Sequence, residues 1–313
     1  MKITYVCPSF KRPKLLCTTT LPLLDNAGIT DISLYLSTDQ VKMYRDEITK
    51  YDFNIKIHYI STEVTGIGNI RNLIRESYGE GTNILMIDDD IKSIMFKPDK
   101  MTNYKKDEKC NKLETMDNIS EFVHSMFQRC IDDDTYMWGV QLHNNPYFMH
   151  SNFTTGLSYI NGSFTGIRIE HSKRKIRTNI NHFEDYLFSM LHFIRDKSIL
   201  KASNVCLLTK CFNPVGGICQ QVGGLAGRKK EAIKNGTNLE LHFGQLLYLK
   251  HSKKYDIINI KLKKVNWRES FLDLWDNYES LSGSKDKENN IDLENLEKAV
   301  NDWDITTEVS CKS

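Results

Sequence analysis

The first 90 residues alternate between short apolar segments and helical segments, and this order limits the fold more than any other feature of the chain. Residues 84–87 are continuously apolar, as in a strand that is buried on both faces. The predicted strands are residues 3–7, 31–37, 54–60 and 84–87, and the predicted helices lie near 14–27, 40–50 and 68–78. Such alternation predicts right-handed βαβ units, and therefore an α/β fold with a mixed, mostly parallel sheet and helices on both faces.

The rest of the chain contains a similar mixture of elements. Residues 119–130 form one apolar helical stripe, with Asn118 as the predicted N-cap and Glu121 at the reciprocal capping-box position. Asn161-Gly162 predicts a hairpin between 157–160 and 163–169, because a type I′ turn needs positive φ at both central positions. Further strands are predicted at 137–142, 203–208 and 256–262, further helices at 183–195, 239–251 and near 291–303, and a glycine-bracketed mobile loop at 216–224.

The charge of the chain is nearly balanced, with 42 Lys and Arg against 40 Asp and Glu. A net charge of +2 does not by itself indicate a nucleic-acid-binding protein. The short basic clusters, at 173–177, 228–230, 250–254 and 261–264, all lie in the second half. Together they are compatible with a polyanionic partner.

The sequence lacks both a long apolar run and a Cys-x-x-Cys pair, which narrows the class of protein further. No apolar run approaches the roughly 18 residues that a membrane-spanning helix needs, so we expect no membrane partner and a soluble, cytoplasmic protein. The eight cysteines form no Cys-x-x-Cys pair, which favours reduced thiols over a zinc site or a disulfide framework.

The most informative motif is Asp88-Asp89-Asp90, which begins where the fourth predicted strand ends. In an open α/β sheet, ligands bind beyond the carboxyl ends of the strands. Adjacent carboxylates repel one another unless a cation or hydrogen-bond donors offset the repulsion, and hard divalent cations such as Mg²⁺ or Mn²⁺ take oxygen ligands. The motif therefore predicts a site for a divalent metal and a diphosphate. A second Asp triplet, residues 132–134, follows an amphipathic helix, and we interpret it as a solvated loop.

Three further segments are candidates for the same site. Residues 8–13, Pro-Ser-Phe-Lys-Arg-Pro, leave the first strand, where a base and a ribose would lie. Residues 66–72 open the helix before the triplet strand, and their glycines allow close backbone approach while Arg71 can reach a phosphate or a base. Glu184 and Asp185 start a later helix and provide a candidate general base, although acids in a first turn also complement the helix dipole.

In this order, the motifs PSFKRP, Asp39, GIGNIRN, IDDD, GSFTG and FED resemble those of GT-A glycosyltransferases, which have a Rossmann-like fold. More narrowly, the chain resembles the TET/JBP-associated glycosyltransferases of phages, other viruses and the kinetoplastid base-J pathway. Those enzymes are associated with adding a sugar to hydroxymethylated pyrimidines in DNA. The resemblance implies a GT-A domain at 1–275, with a nucleotide-binding half at 1–91 and an acceptor-binding and catalytic half at 92–275, followed by a linker and tail at 276–313.

The resemblance also implies roles for single residues. Asp88 and Asp90 would bracket the ribose and a Mn²⁺ or Mg²⁺ ion, with Asp90 the more direct ligand. Glu184 or Asp185 would be the general base, and His242 or His251 a further metal ligand. The other expected contacts are Pro8, Ser9, Arg12, Asp39, Gly68, Arg71 and Asp89 to the nucleotide sugar, and Trp138, Gly162, Ser163 and Phe164 to the acceptor.

The expected function is metal-dependent transfer of a sugar from a UDP-sugar to the hydroxymethyl group of 5-hydroxymethylcytosine or 5-hydroxymethyluracil in DNA. An inverting reaction is favoured because Asp185 or Glu184 can accept the proton of the acceptor hydroxyl, while a retaining route stays open. The first alternative is a glycan or protein acceptor. The others are a nucleotidyltransferase, which would leave Glu184, Asp185 and residues 8–13 without a role, and a nucleotide-binding module without turnover.

Overall fold

The computed structural model describes residues 1–98, 113–142, 144–150, 152–209, 224–252 and 257–282. The strands of its first half are Ile3–Pro8 (β1), Asp31–Ser37 (β2), Lys56–Thr62 (β3), Asn83–Ile87 (β4), Ile91–Phe96 (β5) and Glu114–Thr115 (β6). Those of the second half are Met137–Gln141 (β7), Phe153–Thr154 (β8), Phe164–Arg168 (β9), Leu200–Thr209 (β10), Leu247–Ser252 (β11) and Ile257–Leu262 (β12). The helices are Pro13–Thr18 (α1), Thr20–Asn26 (α2), Val41–Ile48 (α3), Ile67–Glu76 (α4), Ile119–Asp132 (α5), Glu184–Asp196 (α6), Gly224–Phe243 (α7) and Phe271–Ser282 (α8).

One large sheet forms the centre of the described chain, in the order β3-β2-β1-β4-β9-β7-β10-β5-β6, with β8 pairing to β10. The four strands β3, β2, β1 and β4 are mutually parallel. The chain runs from β1 outward to β3 and then returns to place β4 on the other side of β1. Such a reversal opens a crevice at the carboxyl ends of the two strands on either side of it, here β1 and β4.

The second half extends the sheet mainly through antiparallel pairs. Strand β9 lies between β4 and β7 and is antiparallel to both. Strand β10 is parallel to β7 and antiparallel to β5, whose residues follow the Asp triplet directly. The segment after the triplet thus crosses to the far side of the sheet.

Two apolar cores cover the two faces of the sheet. Helices α1, α2, α3 and α5 pack on one face through buried residues such as Leu16, Leu21 and Phe127. Helices α4, α6, α7 and α8 pack on the other through residues such as Ile74 and Trp275. The α/β class predicted from the sequence, with a Rossmann-like parallel half and helices on both faces, is confirmed.

Several local predictions are wrong. Residues 157–160 form no strand, so there is no hairpin at Asn161-Gly162; the N–H of Ile160 donates instead to the Ser189 hydroxyl on α6 at 3.1 Å. Residues 247–251 are not helical, because β11 pairs in antiparallel register with β12. Asn118 precedes α5 but makes no side-chain cap hydrogen bond. The glycine-bracketed loop, apart from Gly224 at the start of α7, and the helix near 291–303 lie outside the described residues.

None of the helices in the described ranges is long and apolar enough to cross a bilayer.

Candidate active site

A cleft of about 370 Å³ opens at the carboxyl ends of β1 and β4, where the strand order reverses. The segment after β1, the Asp triplet after β4, the start of α4, residues 159–163 and the start of α6 all contribute to its wall. Its lining includes Pro8, Ser9, Phe10, Arg12, Ile67, Ile70, Arg71, Asp88, Asp89, Asp90, Tyr159, Asn161, Gly162, Ser163, residues 181–186 and Arg228. The cleft therefore unites segments that are far apart in the sequence.

Two consecutive threonines fix the backbone of the triplet. Thr19 donates from its hydroxyl to the Asp89 carbonyl at 2.9 Å, and Thr20 donates to the Asp88 carbonyl at 2.7 Å. Thr20 also accepts from the N–H of Ile91 at 3.1 Å. The start of helix α2 thus holds the backbone of the turn between β4 and β5 through hydrogen bonds, and the three carboxylates project from this held backbone.

The three carboxylates have different partners. Asp88 accepts from Arg71 at 3.1 Å. Asp89 accepts a short hydrogen bond from the Ser9 hydroxyl and lies 3.4 Å from the Arg12 guanidinium. Asp90 is 8% exposed, and its Oδ1 atom has no hydrogen-bond partner. Asp90 Oδ1 is therefore a buried carboxylate oxygen without a protein donor among the described residues, while Asp90 Oδ2 lies 3.8 Å from the Arg12 guanidinium.

Burial changes the protonation of the two inner carboxylates. It raises the pKa of Asp89 to about 7, against the opposing effects of Ser9 and Arg12. It also raises the pKa of Asp90 to about 6, and the neighbouring Asp88 carboxylate adds to this shift. A cation beside these oxygens would lower both pKa values, because it favours the charged forms.

The residues present fit a divalent cation that a ligand helps to hold. The unpaired Oδ1 of Asp90 is a hard oxygen donor of the kind that Mg²⁺ and Mn²⁺ prefer. Within the described ranges, no group of three His, Cys, Asp or Glu side chains forms a complete protein cage for a metal. Mg²⁺ is commonly bound by only one or two carboxylates together with substrate phosphates, and this arrangement matches the cleft.

Arg71 connects the triplet to the opposite wall of the cleft. Its guanidinium lies 2.5 Å from Glu184 Oε1 on α6 and 3.1 Å from Asp88 Oδ1. A Cβ atom on Gly162 would come within 1.8 Å of Arg71 Nη1, so only glycine at that position lets the guanidinium pass between the two walls. Burial, followed by repulsion from Asp185, raises the pKa of Glu184 although Arg71 opposes the shift.

Asp185 has a different environment from Glu184. It accepts from the Tyr159 hydroxyl at 2.5 Å, and the Tyr159 ring stacks on Tyr186 with 4.0 Å between ring centroids. Burial raises the pKa of Asp185, and the hydrogen bond from Tyr159 opposes that shift. The residue before this pair, Phe183, has a φ of 67°, a left-handed conformation that costs free energy for a bulky side chain.

The structure brings most of the predicted site residues together. Pro8, Ser9, Arg12, Gly162 and Ser163 line the cleft with the triplet and with Glu184 and Asp185. Gly68 lies just behind it, where a Cβ atom would come within 2.3 Å of the Ile180 carbonyl. Asp39 is exposed outside the lining and accepts from Ser37, two residues away.

Four predicted residues lie elsewhere. Trp138 and Phe164 are both fully buried in the core, with their ring centroids 5.8 Å apart, so neither can contact an acceptor in this conformation. His242 packs against Tyr278 of α8, and His251 lies on β11 opposite Ile258. Neither histidine lines the cleft with Asp90. The resemblance implied acceptor contacts for the two aromatic residues and metal binding for the two histidines. Their packing against α5, α8 and β12 places all four away from the cleft.

The structure also adds residues that the sequence did not indicate. Tyr159, Asn161, His182 and Tyr186 line the cleft. Asn161 donates to the Tyr159 hydroxyl at 3.2 Å and orients it toward Asp185. Burial lowers the pKa of His182 to about 4, and Arg228 adds to this effect, so the imidazole is neutral at pH 7. The only sequence signal for these residues was their position beside Gly162 and Glu184.

The second Asp triplet provides an internal control. Residues 132–134 are exposed at the end of α5, as predicted for a solvated loop. The contrast with Asp88-Asp89-Asp90 supports the importance of the buried strand before the first triplet.

Comparisons with known proteins give only distant similarity. No protein-family model matches the chain, and no curated protein sequence matches it. Among solved structures, TarS 1–349 of S. aureus has 11% sequence identity and a TM-score of 0.39, and the match covers 85% of this chain and 98% of that chain.

Two further structures are similar at the same level. The mannosyltransferase PcManGT from Pyrobaculum calidifontis, solved with GDP-Man and Mn²⁺, has 11% identity and a TM-score of 0.44, and the match covers 78% of this chain and 63% of that chain. The 4-diphosphocytidyl-2C-methyl-D-erythritol synthase from Anaerococcus prevotii has 12% identity and a TM-score of 0.33, with 66% and 87% covered. Similarities this low support no conclusion about substrate or activity.

Proposed function

We propose that the chain is a GT-A glycosyltransferase that uses a UDP-sugar and a divalent metal ion. One observation carries this proposal: two carboxylate groups from different elements face each other across the cleft at the strand-order reversal. Asp88, Asp89 and Asp90 lie on one side, Glu184 and Asp185 lie on the other, and Arg71 bridges them. An inverting transfer uses such an arrangement, with a cation-binding end for the leaving diphosphate and a basic end for the acceptor.

The leaving-group end is built from Asp90 and the residues around it. When bound there, a metal ion would offset the negative charge that develops on the departing diphosphate. Asp90 would hold the ion through its free Oδ1 atom. Ser9 and Arg12 hold the adjacent Asp89, and the Arg12 guanidinium also lies 3.8 Å from Asp90 Oδ2.

Asp185 is the better candidate for the general base. Glu184 is already paired with the Arg71 guanidinium at 2.5 Å. Asp185 lines the cleft and has no ion pair that short with the described residues; it accepts neutral hydrogen bonds from the Tyr159 hydroxyl at 2.5 Å and from its neighbour's N–H, that of Tyr186, at 2.9 Å. In an inverting transfer, the acceptor oxygen forms a bond to the anomeric carbon while the bond from that carbon to UDP breaks. The hydroxyl proton passes to the Asp185 carboxylate. The raised pKa of Asp185 suits it to accept a proton near neutral pH.

For the acceptor, we propose a hydroxymethylated pyrimidine in DNA. The stacked rings of Tyr159 and Tyr186 provide an aromatic surface in the cleft beside Asp185. A base that is reached by an enzyme in this way must leave the duplex stack, and aromatic side chains commonly replace its lost stacking. The same surface also accommodates the apolar face of a sugar ring, so a glycan is the alternative acceptor.

The test combines a binding assay and a transfer assay on the full chain. UDP-sugar binding is measured by calorimetry with and without Mn²⁺, and transfer is measured by mass spectrometry of nucleosides from DNA that contains 5-hydroxymethylcytosine or 5-hydroxymethyluracil. We expect Asp90→Asn to weaken Mn²⁺-dependent UDP-sugar binding at least about tenfold, because a neutral amide is a poor metal ligand. We expect Asp185→Asn to leave donor binding unchanged and to slow transfer by about 10²- to 10⁴-fold.

Asp133→Asn, in the exposed second triplet, is the matched control and should change neither quantity. Full activity in both Asp185→Asn and Glu184→Gln would contradict the assigned base. Absence of metal-dependent UDP-sugar binding in the unaltered chain would refute the glycosyltransferase proposal. Incorporation from a nucleoside triphosphate would indicate a nucleotidyltransferase, and transfer to glycans but not to DNA would replace the proposed acceptor.

A further inference from the structure

A second cavity lies at the far ends of the two helices that form the cleft. It has a volume of about 420 Å³ and is lined by Arg75, Glu76, residues 167–171, Lys175, Ile176, His192 and Arg195. Helix α4 contributes Arg71 to the cleft and Arg75, one turn later, to this cavity. Helix α6 contributes Glu184 to the cleft and His192 to the cavity, and eight residues of helix separate them by about 12 Å. The cavity and the cleft share no lining residue; a space of about 10 Å³, no larger than one water molecule, is lined by both Arg71 and Arg75.

Arg75 is the unusual residue of this cavity. It is 8% exposed, and its Nε and Nη1 atoms find no hydrogen-bond acceptor within the described ranges. Its third nitrogen, Nη2, donates a short hydrogen bond to Asn72, and its guanidinium lies 3.7 Å from the centroid of the Phe188 ring. A buried guanidinium with unused donors costs free energy unless an anion compensates it, and burial accordingly lowers the pKa of Arg75 well below its ordinary value.

The carboxylates of the cavity give the Nε and Nη1 atoms of Arg75 no hydrogen bond, although the charge of Glu76 favours the ionised guanidinium. Glu76 is paired with Arg177 through both oxygens, at 2.6 and 2.8 Å. Glu170 accepts from the backbone and hydroxyl of Ser172 and from the backbone of Lys173. Both acids are thus already paired with other groups.

The other cationic side chains that line the cavity differ in how many hydrogen bonds and ion pairs they already make. Arg195 is paired with Asp196 at 2.7 Å, and Arg168 donates to the carbonyls of Cys130 and Thr135. Lys175 is exposed at the mouth and makes no hydrogen bond or ion pair with any residue that the structure describes. Arg75, at the buried end of the cavity, and Lys175, at its open end, therefore both have N–H donors without a protein acceptor among the described residues.

We propose that this cavity is a second binding site for a small phosphate-bearing anion, which receives hydrogen bonds from Arg75 and a charge contact from Lys175. Its volume is in the range of small-molecule sites. Planar guanidinium donors match phosphate oxygens in pairs. A nucleic-acid backbone is a poor fit, because a polymer phosphate cannot reach a guanidinium that is 8% exposed.

The test uses inorganic phosphate, glucose 1-phosphate and UMP as probes of the full chain, with chelator present so that no metal-dependent binding in the cleft contributes. Thermal unfolding is compared with chloride at equal ionic strength, and dissociation constants are measured by calorimetry. At about ten times the dissociation constant, a phosphate probe should raise Tm by roughly 2–4 °C. Comparison of the three probes shows whether phosphate alone, a sugar phosphate or a nucleotide binds best.

Arg75→Met should weaken phosphate binding about 10- to 100-fold, because it removes charge-assisted hydrogen bonds. Lys175→Met changes an exposed side chain that makes no hydrogen bond or ion pair with the described residues, and it should weaken binding about threefold. Arg45→Met, which removes an exposed guanidinium on α3, and Asp90→Asn in the cleft should leave phosphate binding unchanged.

Three results would overturn the proposal. The first is equal stabilisation by phosphate and chloride. The second is unchanged phosphate affinity in both Arg75→Met and Lys175→Met. The third is loss of the phosphate effect in Asp90→Asn but not in Arg75→Met, which would place the anion in the cleft. Weakened binding of duplex DNA, with phosphate affinity retained in both variants, would assign the surface to a nucleic acid instead.

Discussion

At the scale of single residues, the centre of the cleft depends on how closely Arg71 approaches the backbone at Gly162. The guanidinium is 10% exposed and contacts carboxylates on both walls, Glu184 at 2.5 Å and Asp88 at 3.1 Å. A buried carboxylate that loses its only cation is destabilised strongly, whereas an intact pair contributes little net stability. The absence of a side chain at position 162 therefore keeps Arg71 paired with the buried Glu184 and with the partly exposed Asp88.

Gly162→Ala is expected to lower the free energy of unfolding by about 3 kcal/mol, because the new methyl group displaces Arg71 from both carboxylates. Chemical denaturation measures this loss. Gly79→Ala is the matched control, since a Cβ there meets no atom within 4 Å, and its effect should stay within about 0.5 kcal/mol. Equal stability of the two variants would show that Arg71 has another position that satisfies its partners.

Tyr159 provides a test of the base through pH. Its hydroxyl stabilises the ionised form of Asp185, so Tyr159→Phe should raise the pKa of a carboxyl group that burial has already raised. A general base works only when deprotonated. The acid limb of kcat/KM should therefore move to higher pH by about one unit, which corresponds to one hydrogen bond to a charged group.

Tyr186→Phe is the control for this measurement, because it keeps the ring that stacks on Tyr159 while removing a hydroxyl with no recorded bond to Asp185. An acid limb that moves equally in both variants, or in neither, would exclude Asp185 as the group that the profile reports.

The residue types of the site were more predictable than its supporting contacts. Asp88, Asp89 and Asp90 stand out in sequence because they end a continuously buried strand. Tyr159 does not stand out, because its role depends on α6 bringing Asp185 to within 2.5 Å of its hydroxyl across 26 residues of chain. Trp138 was misplaced for the same reason: nothing in the sequence shows that α5 covers its ring with Phe127.

At the scale of elements, the start of α2 determines where the triplet lies. Thr19 and Thr20 donate from this helix to the carbonyls of Asp89 and Asp88, and Thr20 also accepts from Ile91. The turn between β4 and β5 is thus held by a helix that lies about 70 residues earlier in the chain. A sequence motif for the site would have to include these threonines, although they do not contact the cleft.

Thr20→Val keeps the shape of this side chain and removes both hydrogen bonds. The Asp88 carbonyl and the Ile91 N–H then lose their partner, which should cost about 1–3 kcal/mol of unfolding free energy and weaken metal-dependent donor binding. Thr18→Val is the neighbouring control, because the exposed Thr18 hydroxyl bonds only to carbonyls of its own helix. Unchanged donor binding in Thr20→Val would show that the turn is held by its other contacts alone.

Prediction from the spacing of apolar residues succeeded for elements in which buried and exposed positions follow that spacing. The prediction for β2, residues 31–37, coincides with Asp31–Ser37, which is central in the parallel half. The helix predicted at 239–251 is present only up to Phe243. It fails at 244–251, because a short apolar run is compatible with a helix or a strand and the pairing of β11 with β12 decides the outcome. The hairpin at Asn161-Gly162 failed because those residues bond to their own loop and to α6 rather than to a neighbouring strand.

At the scale of the whole molecule, helix α8 closes the core that supports the cleft. Phe271, Trp275 and Tyr278 are buried against the other helices of that face. Arg174 also pairs with Asp276 and Glu279 and lies over the Trp275 ring. The helix crosses position 275, where the sequence led us to end the domain, and we propose that the domain extends to residue 282.

A chain that ends after residue 282 is therefore expected to unfold at the same temperature as the full chain, whereas one that ends after 270 should be strongly destabilised. Loss of one buried tryptophan alone costs about 3–5 kcal/mol, and this truncation removes Trp275 together with two other buried aromatic residues.

In the full chain, Trp275→Ala should reproduce much of the effect, while Leu272→Ala should not, because Leu272 is 36% exposed on the same helix. Thermal unfolding with a second, denaturant-based measurement tests all four chains. If the chain that ends after 282 is as unstable as the one that ends after 270, then residues beyond 282 contribute to the core, and the proposed limit of the domain is wrong.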